Sequence, residues 1–364
     1  MSRATRSLTY RPELDGLRAV AVLVVVIHHV WQPARFSGFV GVYVFFVLSG
    51  YLITTILLAE RRETGRVHFR LFYARRLLRL YPALLLVVAV AVLGYPWLSG
   101  TLPHYVKEAF FAATYTGNVY MTYGHAYIGP FAHTWSLALE EQYYLLWPVV
   151  LGVGLRYVRR PGLLAGLLIA LAVGSAALYA HEFTFNGTDF SPIATAFGLL
   201  AGSALALVLS PEGPPVARVL GSAMAGATGA ALLAVVLLVF SLTRAVPDGL
   251  YAPAAVVASL LLVAHCVGAV PSVIRRVLVQ APAVAVGKIS YGVYLWHFPI
   301  VLTIGHFWPN ASPWLVVLLT LIATFAVATA SYVFVEQRFL RWKDRLHPAG
   351  AGSAPTAVSE GRSR

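Results

Sequence analysis

The sequence predicts an all-α polytopic membrane protein, a bundle of about ten transmembrane helices with both termini cytoplasmic. Three observations predict it. The chain of 364 residues is 59% hydrophobic and only 11% charged, whereas a soluble domain is about half apolar and a quarter charged. Apolar runs of about 20 residues, enough to cross a hydrocarbon core of roughly 30 Å, recur along its whole length. Arg and Lys crowd alternate connections, the pattern that marks cytoplasmic loops.

The runs fall near residues 15–33, 38–58, 80–98, 135–155, 161–180, 192–209, 221–242, 250–269, 289–307 and 313–335. An even number returns the chain to its starting side. With the N-terminus inside, all of the 27 Arg and Lys residues except Arg35, Lys107 and Arg244 fall on inner segments. The net charge of +13 is then topology plus attraction to anionic lipid. No basic soluble domain exists to hold a nucleic acid. The first run lacks a small-residue cleavage pattern and leads straight into the second, so it reads as a retained span rather than a signal peptide. Two connections exceed a tight turn. Residues 59–79 are basic and expected to be helical at the membrane interface, and residues 99–134 form an aromatic outer loop. The domain reading is one transmembrane body over 1–345 and a disordered cytoplasmic tail, 346–364, rich in Pro, Gly, Ser and Ala. No internal repeat is visible, so the inverted-repeat plan of many transporters gains no support. Cys266 is the only cysteine, which leaves no disulfide framework and no thiol pair for metal or redox chemistry.

Ionisable side chains inside a bilayer are costly and need a reason. The opening helix, "LDGLRAVAVLVVVIHHV", carries several. Arg18 and His29 are eleven residues apart, within about 20° of one helix face and roughly 16 Å apart along the axis. Asp15 shares that face. Such a stripe looks into the bundle or a wet tunnel, not into lipid. The structural alternative makes Arg18 a snorkelling topology anchor and His29 a hydrogen-bonded core residue. His28 points elsewhere and reads as structural.

Further along, "FYARRLLRLYPALLL" puts Arg76 and Arg79 on one face at the inner interface. Paired guanidinium groups suit a phosphate-bearing ligand, and a positive-inside cluster is the plainer alternative. "HTWSLALEEQYYLLWP" places His133, Ser136 and Glu140 at i, i+3 and i+7, on one face. A Ser or Thr at 134–136 is expected to cap that helix. "ISYGVYLWHFPIVL" carries His297 just before Pro299, where the alternative is a packed aromatic helix with a proline kink. Glu336 lies at the inner end of the last run, beside Arg338.

Taken in order, these motifs, with "GVYVFFVLSGYLITTIL" and "VEQRFL", resemble the acyltransferase 3 family of integral membrane O-acyltransferases from residue 12 to about 341. The resemblance implies ten core spans and transfer of an acyl group, usually acetyl, from a coenzyme A thioester to a hydroxyl. The family's arginine, ten residues, then histidine lands on Arg18 and His29, and its Arg-x-x-Arg on Arg76 and Arg79. Its acid after "WSL" lands on Glu140, its terminal acid on Glu336, and its "SGF" position on Ser49, Gly50 and Tyr51. Two departures stand out: Tyr43 replaces the family's usual Asp, and Arg338 replaces the proline that usually follows the terminal acid.

The expectation that follows is an O-acyltransferase of a bacterial plasma membrane. Arg18, Arg76 and Arg79 bind the phosphates of acyl-CoA, the co-substrate, and no cofactor is permanently bound. His29 acts as general base, since an imidazole titrates near neutrality, with Asp15 or Glu140 orienting its ring. Tyr51, His133, Ser136, His297 and Glu336 are acceptor-binding or structural. The acceptor is a hydroxyl of an envelope sugar or of a secondary metabolite such as a macrolide, and the short single-domain build leans toward a small one. Aromatic residues of the outer loop, such as Tyr105 and Tyr127, offer sugar-binding faces or a membrane-interface belt. The competing class is a transporter or flippase, in which the buried ions relay protons.

Overall fold

The computed structural model describes residues 10–31, 38–99, 102–124, 126–158, 160–186, 190–211, 213–242, 248–268 and 270–346. Every regular element among them is helical. In chain order these are α1 (Pro12–Val30), α2 (Phe39–Thr64), α3 (Phe69–Ser99), α4 (Leu102–Ala113) and α5 (Gly117–Gly124). A 3-10 helix, Gly129–Thr134, leads into α6 (Trp135–Tyr157), α7 (Pro161–Asn186) and α8 (Phe197–Val208). Next come α9 (Ala217–Leu220), α10 (Ala223–Leu242), α11 (Asp248–Gly268), α12 (Val273–Leu278), α13 (Ala281–Phe307) and α14 (Pro313–Ser331). A π-helical turn, Tyr332–Glu336, closes α14 before α15 (Gln337–Asp344).

Among the described residues, five helical stretches are long and apolar enough to cross a membrane: Phe39–Thr64, Phe69–Tyr95, Pro161–Phe183, Gly249–Gly268 and Pro313–Asp344. Each of the ten expected runs coincides with a helix, but α8 and the apolar part of α10 are shorter than a span requires. Helices α1, α6 and α13 have 19, 23 and 27 residues. They fall outside the apolar set, α1 through three charges, Glu13, Asp15 and Arg18, and α6 and α13 through polar stretches such as 140–144 and residues such as Lys288, Tyr294 and His297.

Several boundaries differ from the sequence expectation. The basic stretch 59–79 is helical, as the ends of two longer helices. Helix α2 continues to Thr64 and α3 begins at Phe69, so only four residues turn. Gly65 makes that turn, with φ +76° and its N–H bonded to the Arg61 carbonyl, a left-handed cap that glycine adopts without strain. The aromatic outer connection 99–134 is largely helical: α4, α5 and the 3-10 helix fill most of its described residues. No Ser or Thr caps α6. Thr134 turns its hydroxyl to the Phe131 carbonyl, Ser136 turns to Tyr294, and the 3-10 helix runs into α6 with helical backbone angles. The tail expected to be disordered lies outside the described residues apart from Leu346.

Backbones touch where glycines permit, the usual device between helices that gain nothing from hiding apolar surface in lipid. A Cβ on Gly287 would sit 1.9 Å from the Asp15 carbonyl oxygen, and one on Gly16 would sit 2.1 Å from that of Leu278. These contacts clamp α1 to α13 and α12. Gly50 and Gly202 do the same for α2 and α8, at 2.1 Å from Leu199 O and 2.2 Å from Val47 O. Tyr51 is buried in that second seam. Tyr43, where the family's acid would stand, is fully buried and stacked on Phe197 at 4.9 Å.

The ends of the bundle differ in chemistry. At one, Arg275 pairs with Glu13 and Arg75 bonds the Leu346 carbonyl, so the first and last described residues lie at the same end. A cleft of about 310 Å³ there joins Arg61 and Arg62 to the ends of α6, α7 and α8. The opposite end is built from α4, α5 and the 3-10 helix and is rich in tyrosine.

Replacing Gly287 by Ala therefore drives a methyl group into the Asp15 backbone. Overpacking of this kind costs roughly 1–3 kcal/mol. The thermal unfolding midpoint in detergent should fall for Gly287→Ala and stay near wild type for Gly94→Ala, whose Cβ would meet nothing within 4 Å.

Candidate functional site

Two polar layers lie inside the bundle, one near each end of α1. The first collects three arginines from two helices. Arg18 leaves α1 and bonds Asp15 at 3.2 Å. Asp15 also accepts from the Tyr10 hydroxyl at 2.7 Å, and that bond pushes the Tyr10 hydroxyl up to about 12. Arg76 and Arg79 leave α3. Arg76 pairs with Glu141 at 3.3 Å, and its guanidinium carbon lies 3.2 Å above the Tyr144 ring. Arg79 is within electrostatic reach of Arg18, Arg76, Tyr144 and Asp15, and remains exposed to solvent. Three like charges held this close repel one another unless anions share the space.

The acids of this layer come from α6 and the π-helical turn. One oxygen of Glu140 accepts from the Ser49 and Tyr144 hydroxyls, each at 3.0 Å. Glu336 is buried, accepts from Ser331 at 3.3 Å and lies within electrostatic reach of Arg79. It nests against Gly292, where a Cβ would come 3.2 Å from its carboxylate oxygen.

The second layer holds three imidazoles. His29 and His297 have ring centroids 5.0 Å apart, and His297 and His133 are 5.4 Å apart. Backbone carbonyls can only accept, so they fix the tautomers. His297 Nδ1 carries the proton, bonded to Tyr294 O at 2.5 Å. Its Nε2 therefore presents a lone pair, 3.3 Å from His29 Nδ1. His29 Nδ1 in turn donates to Val25 O at 3.0 Å. That leaves the lone pair of His29 on Nε2. The ring orientation comes from a carbonyl and a second histidine, while Asp15 engages Arg18 and Tyr10, and Glu140 engages hydroxyls.

Proline explains how His133 enters. Pro299 has no N–H, so in α13 the carbonyl four residues back, that of Leu295, loses its helical donor. His133 Nε2 supplies one at 3.2 Å. Tyr294 ties the layers together. Its hydroxyl donates to His133 O and accepts from Ser136, both at 2.6 Å, and Glu140 is within electrostatic reach. Among the described residues no trio of His, Cys, Asp or Glu converges as metal ligands would.

The structure thus brings Asp15, Arg18, Arg76, Arg79, Glu140 and Glu336 into one layer and His29, His133, Ser136 and His297 into the other. It leaves Tyr51 in the α2–α8 seam. Sequence reasoning passed over Tyr294, Tyr144 and the Arg76–Glu141 pair. Only the proline four residues after Leu295 signalled a vacant carbonyl.

A membrane helix bundle with an arginine layer, a histidine layer and a connecting tyrosine is the class these features define. The profile of the acyltransferase 3 family, an acyltransferase domain, matches residues 11–333, and the chain belongs to that family. It is similar to peptidoglycan O-acetyltransferase OatA of Listeria monocytogenes, 32% identical over 92% of this chain and 57% of that protein. It is also similar to a putative peptidoglycan O-acetyltransferase, YrhL, of Bacillus subtilis, 32% identical over 93% of this chain and 56% of the relative. A putative O-acetyltransferase of Staphylococcus aureus strain MRSA252 is 30% identical over 94% of this chain and 60% of its own length. The chain spans between half and two thirds of these relatives. No solved structure matches it.

The Arg76–Glu141 pair is testable apart from activity. Each side chain is less than a fifth exposed, and removing one partner of a buried pair costs about 3–5 kcal/mol, less where water still reaches it. Glu141→Gln and Arg76→Met should each lower the unfolding midpoint, and the double variant should lose less than the sum. Additive losses in the double-mutant cycle would mean that the two do not interact.

Proposed function

We propose that this protein is a plasma-membrane O-acyltransferase with ten spans and its basic end in the cytoplasm. It moves an acyl group, acetyl or another short chain, from acyl-CoA to a hydroxyl of a carbohydrate or glycosylated natural product. The observation that carries the reading is the shared face of α1. Arg18 joins Arg76 and Arg79 at one end of the helix. His29, with its lone pair on Nε2, stands eleven residues further along, a rise of roughly 16 Å. That is about the reach of an extended pantetheine arm. The names of the relatives, peptidoglycan O-acetyltransferases, support an envelope glycan as acceptor.

In this reading the arginines hold the diphosphate and ribose phosphate of the donor, since guanidinium groups bind phosphate oxygens bidentately. The thioester extends toward the histidine layer. His29 Nε2 takes the proton of the acceptor hydroxyl as its oxygen attacks the thioester carbon. The tetrahedral intermediate collapses with loss of the thiolate, which recovers the proton from the imidazolium, giving an ester and free CoA thiol. The Val25 carbonyl keeps His29 in the tautomer this step needs. No cofactor is required beyond the donor itself.

The test uses purified protein with acetyl-CoA and a sugar acceptor. His29→Ala should lower kcat on the order of 10²–10⁴-fold, while His28→Ala changes it little. Arg79→Ala should raise the KM for acetyl-CoA more than it lowers kcat, and added salt should weaken wild-type donor binding in the same direction. Absence of CoA release from wild-type protein would replace the enzyme with a transporter.

A further inference from the structure

The tyrosine-rich end carries a cleft that the reaction above does not use. It encloses about 280 Å³, close to the roughly 300 Å³ at which small-molecule sites begin, which is room for about one sugar ring. Two tyrosine rings, Tyr95 and Tyr105, meet at 47° with centroids 5.7 Å apart. Glu108, His104 and His306 bring polar groups to the same space, and Leu302 forms part of the rim.

Glu108 is the unusual member. It is only 4% exposed. One carboxylate oxygen meets His104 at 2.9 Å, and the other, Oε2, is buried with no hydrogen-bond partner among the described residues. Buried polar atoms are satisfied in the great majority of cases, so an unmatched carboxylate oxygen in a cleft marks a place for a donor from outside. The chain builds room for this carboxylate. Gly129 has φ +43°, and a Cβ there would lie 2.5 Å from Oε2. Burial raises Glu108 above its ordinary value.

The lining contains no Lys or Arg, and a carboxylate repels phosphate, so the anionic donor is not its ligand. Angled aromatic faces with one acid and two imidazoles suit a neutral, hydroxyl-rich ring. The cleft is also tied to the histidine layer. The Tyr95 hydroxyl donates to Pro299 O at 2.6 Å, two residues past His297, and Pro130 opens the 3-10 helix that carries His133.

We propose that this cleft is the acceptor subsite, that it holds a neutral hexopyranose unit of a glycan, and that the Glu108 carboxyl accepts from its hydroxyls. The proposal rests on the acyltransferase reading for its role, but sugar binding alone can be measured without the donor.

Saturation-transfer NMR on the full chain in detergent, with chitotetraose as probe and no acetyl-CoA, tests it. Glu108→Gln and Leu302→Trp should each weaken binding about tenfold, as loss of a hydrogen bond to a charged group or a filled cleft would. With acetyl-CoA present, the KM for chitotetraose should rise by a similar factor while kcat falls less. Should Glu108→Gln fail to fold, Leu302→Trp decides, because Leu302 lies at the rim, 39% exposed. Unchanged affinity in both folded variants, or no binding by wild-type protein, overturns the subsite. Displacement of the sugar by choline at lower concentration overturns the ligand class, since an aromatic cleft with an acid can also hold a quaternary ammonium. Binding that Glu108→Gln abolishes, without any transfer from acetyl-CoA, upholds the sugar site and overturns the acyltransferase reading instead.

Discussion

Contact between two backbones, α1 against α13, positions the polar interior. Gly287 lets the Asp15 carbonyl reach the neighbouring helix. With the helices clamped there, Asp15 and Arg18 are fixed beside α3 at one end. At the other end His29 is fixed against His297. The contact between the two rings would be lost if the helices slid by one turn, a shift of about 5.4 Å, although each ring keeps the tautomer set by a carbonyl of its own helix. A small residue at one end of the seam thus sets hydrogen bonding at the other.

The apolar surroundings sharpen this dependence. Within a bilayer, a backbone or side-chain polar group has no water to fall back on, so each must find a partner in the protein. Pro299 withdraws one donor and thereby vacates the Leu295 carbonyl, and His133 fills the vacancy. Ser49 and Tyr144 converge on one oxygen of Glu140 for the same reason. Of the helices long enough to span, α1, α6 and α13, which carry much of the polar interior, lie outside the apolar set. Their lower apolarity is compensated by burial against one another and by internal hydrogen bonds, and it locates the polar interior.

Periodicity within a single helix was readable from the sequence. It put Asp15, Arg18 and His29 on one face and paired Arg76 with Arg79, and the structure gathers those arginines into one layer. What no single helix encodes is which faces meet. The partner of Arg76 is Glu141, on α6, 65 residues away, and the neighbour of His29 is His297, 268 residues away. An acid was expected to orient His29 because acids commonly do so. Here the i−4 carbonyl of Val25 and a second imidazole take that place. Helix boundaries near 59–79 were misread because Arg-rich turns suit both an interface helix and the extended end of a span. The fill of the 99–134 region depended on close packing, such as Gly117 against Ile128, which spacing alone does not reveal.

One helix passes through everything described. Along α13, Gly287 touches Asp15, Gly292 receives Glu336, Tyr294 joins Ser136 to His133, and His297 meets His29. Leu302 and His306 then line the cleft at the far end. Nineteen steps separate Gly287 from His306, a rise of about 28 Å, close to the roughly 30 Å of a hydrocarbon core. In the proposed reaction, a donor too polar to enter the membrane and an acceptor on its other face would meet across that thickness. There a flexible arm would cover about half of it from the arginine layer, and the acceptor would cover the remainder. His297 lies ten residues along α13 from Gly287 and nine from His306, so in that reaction neither substrate would have to cross the whole bilayer.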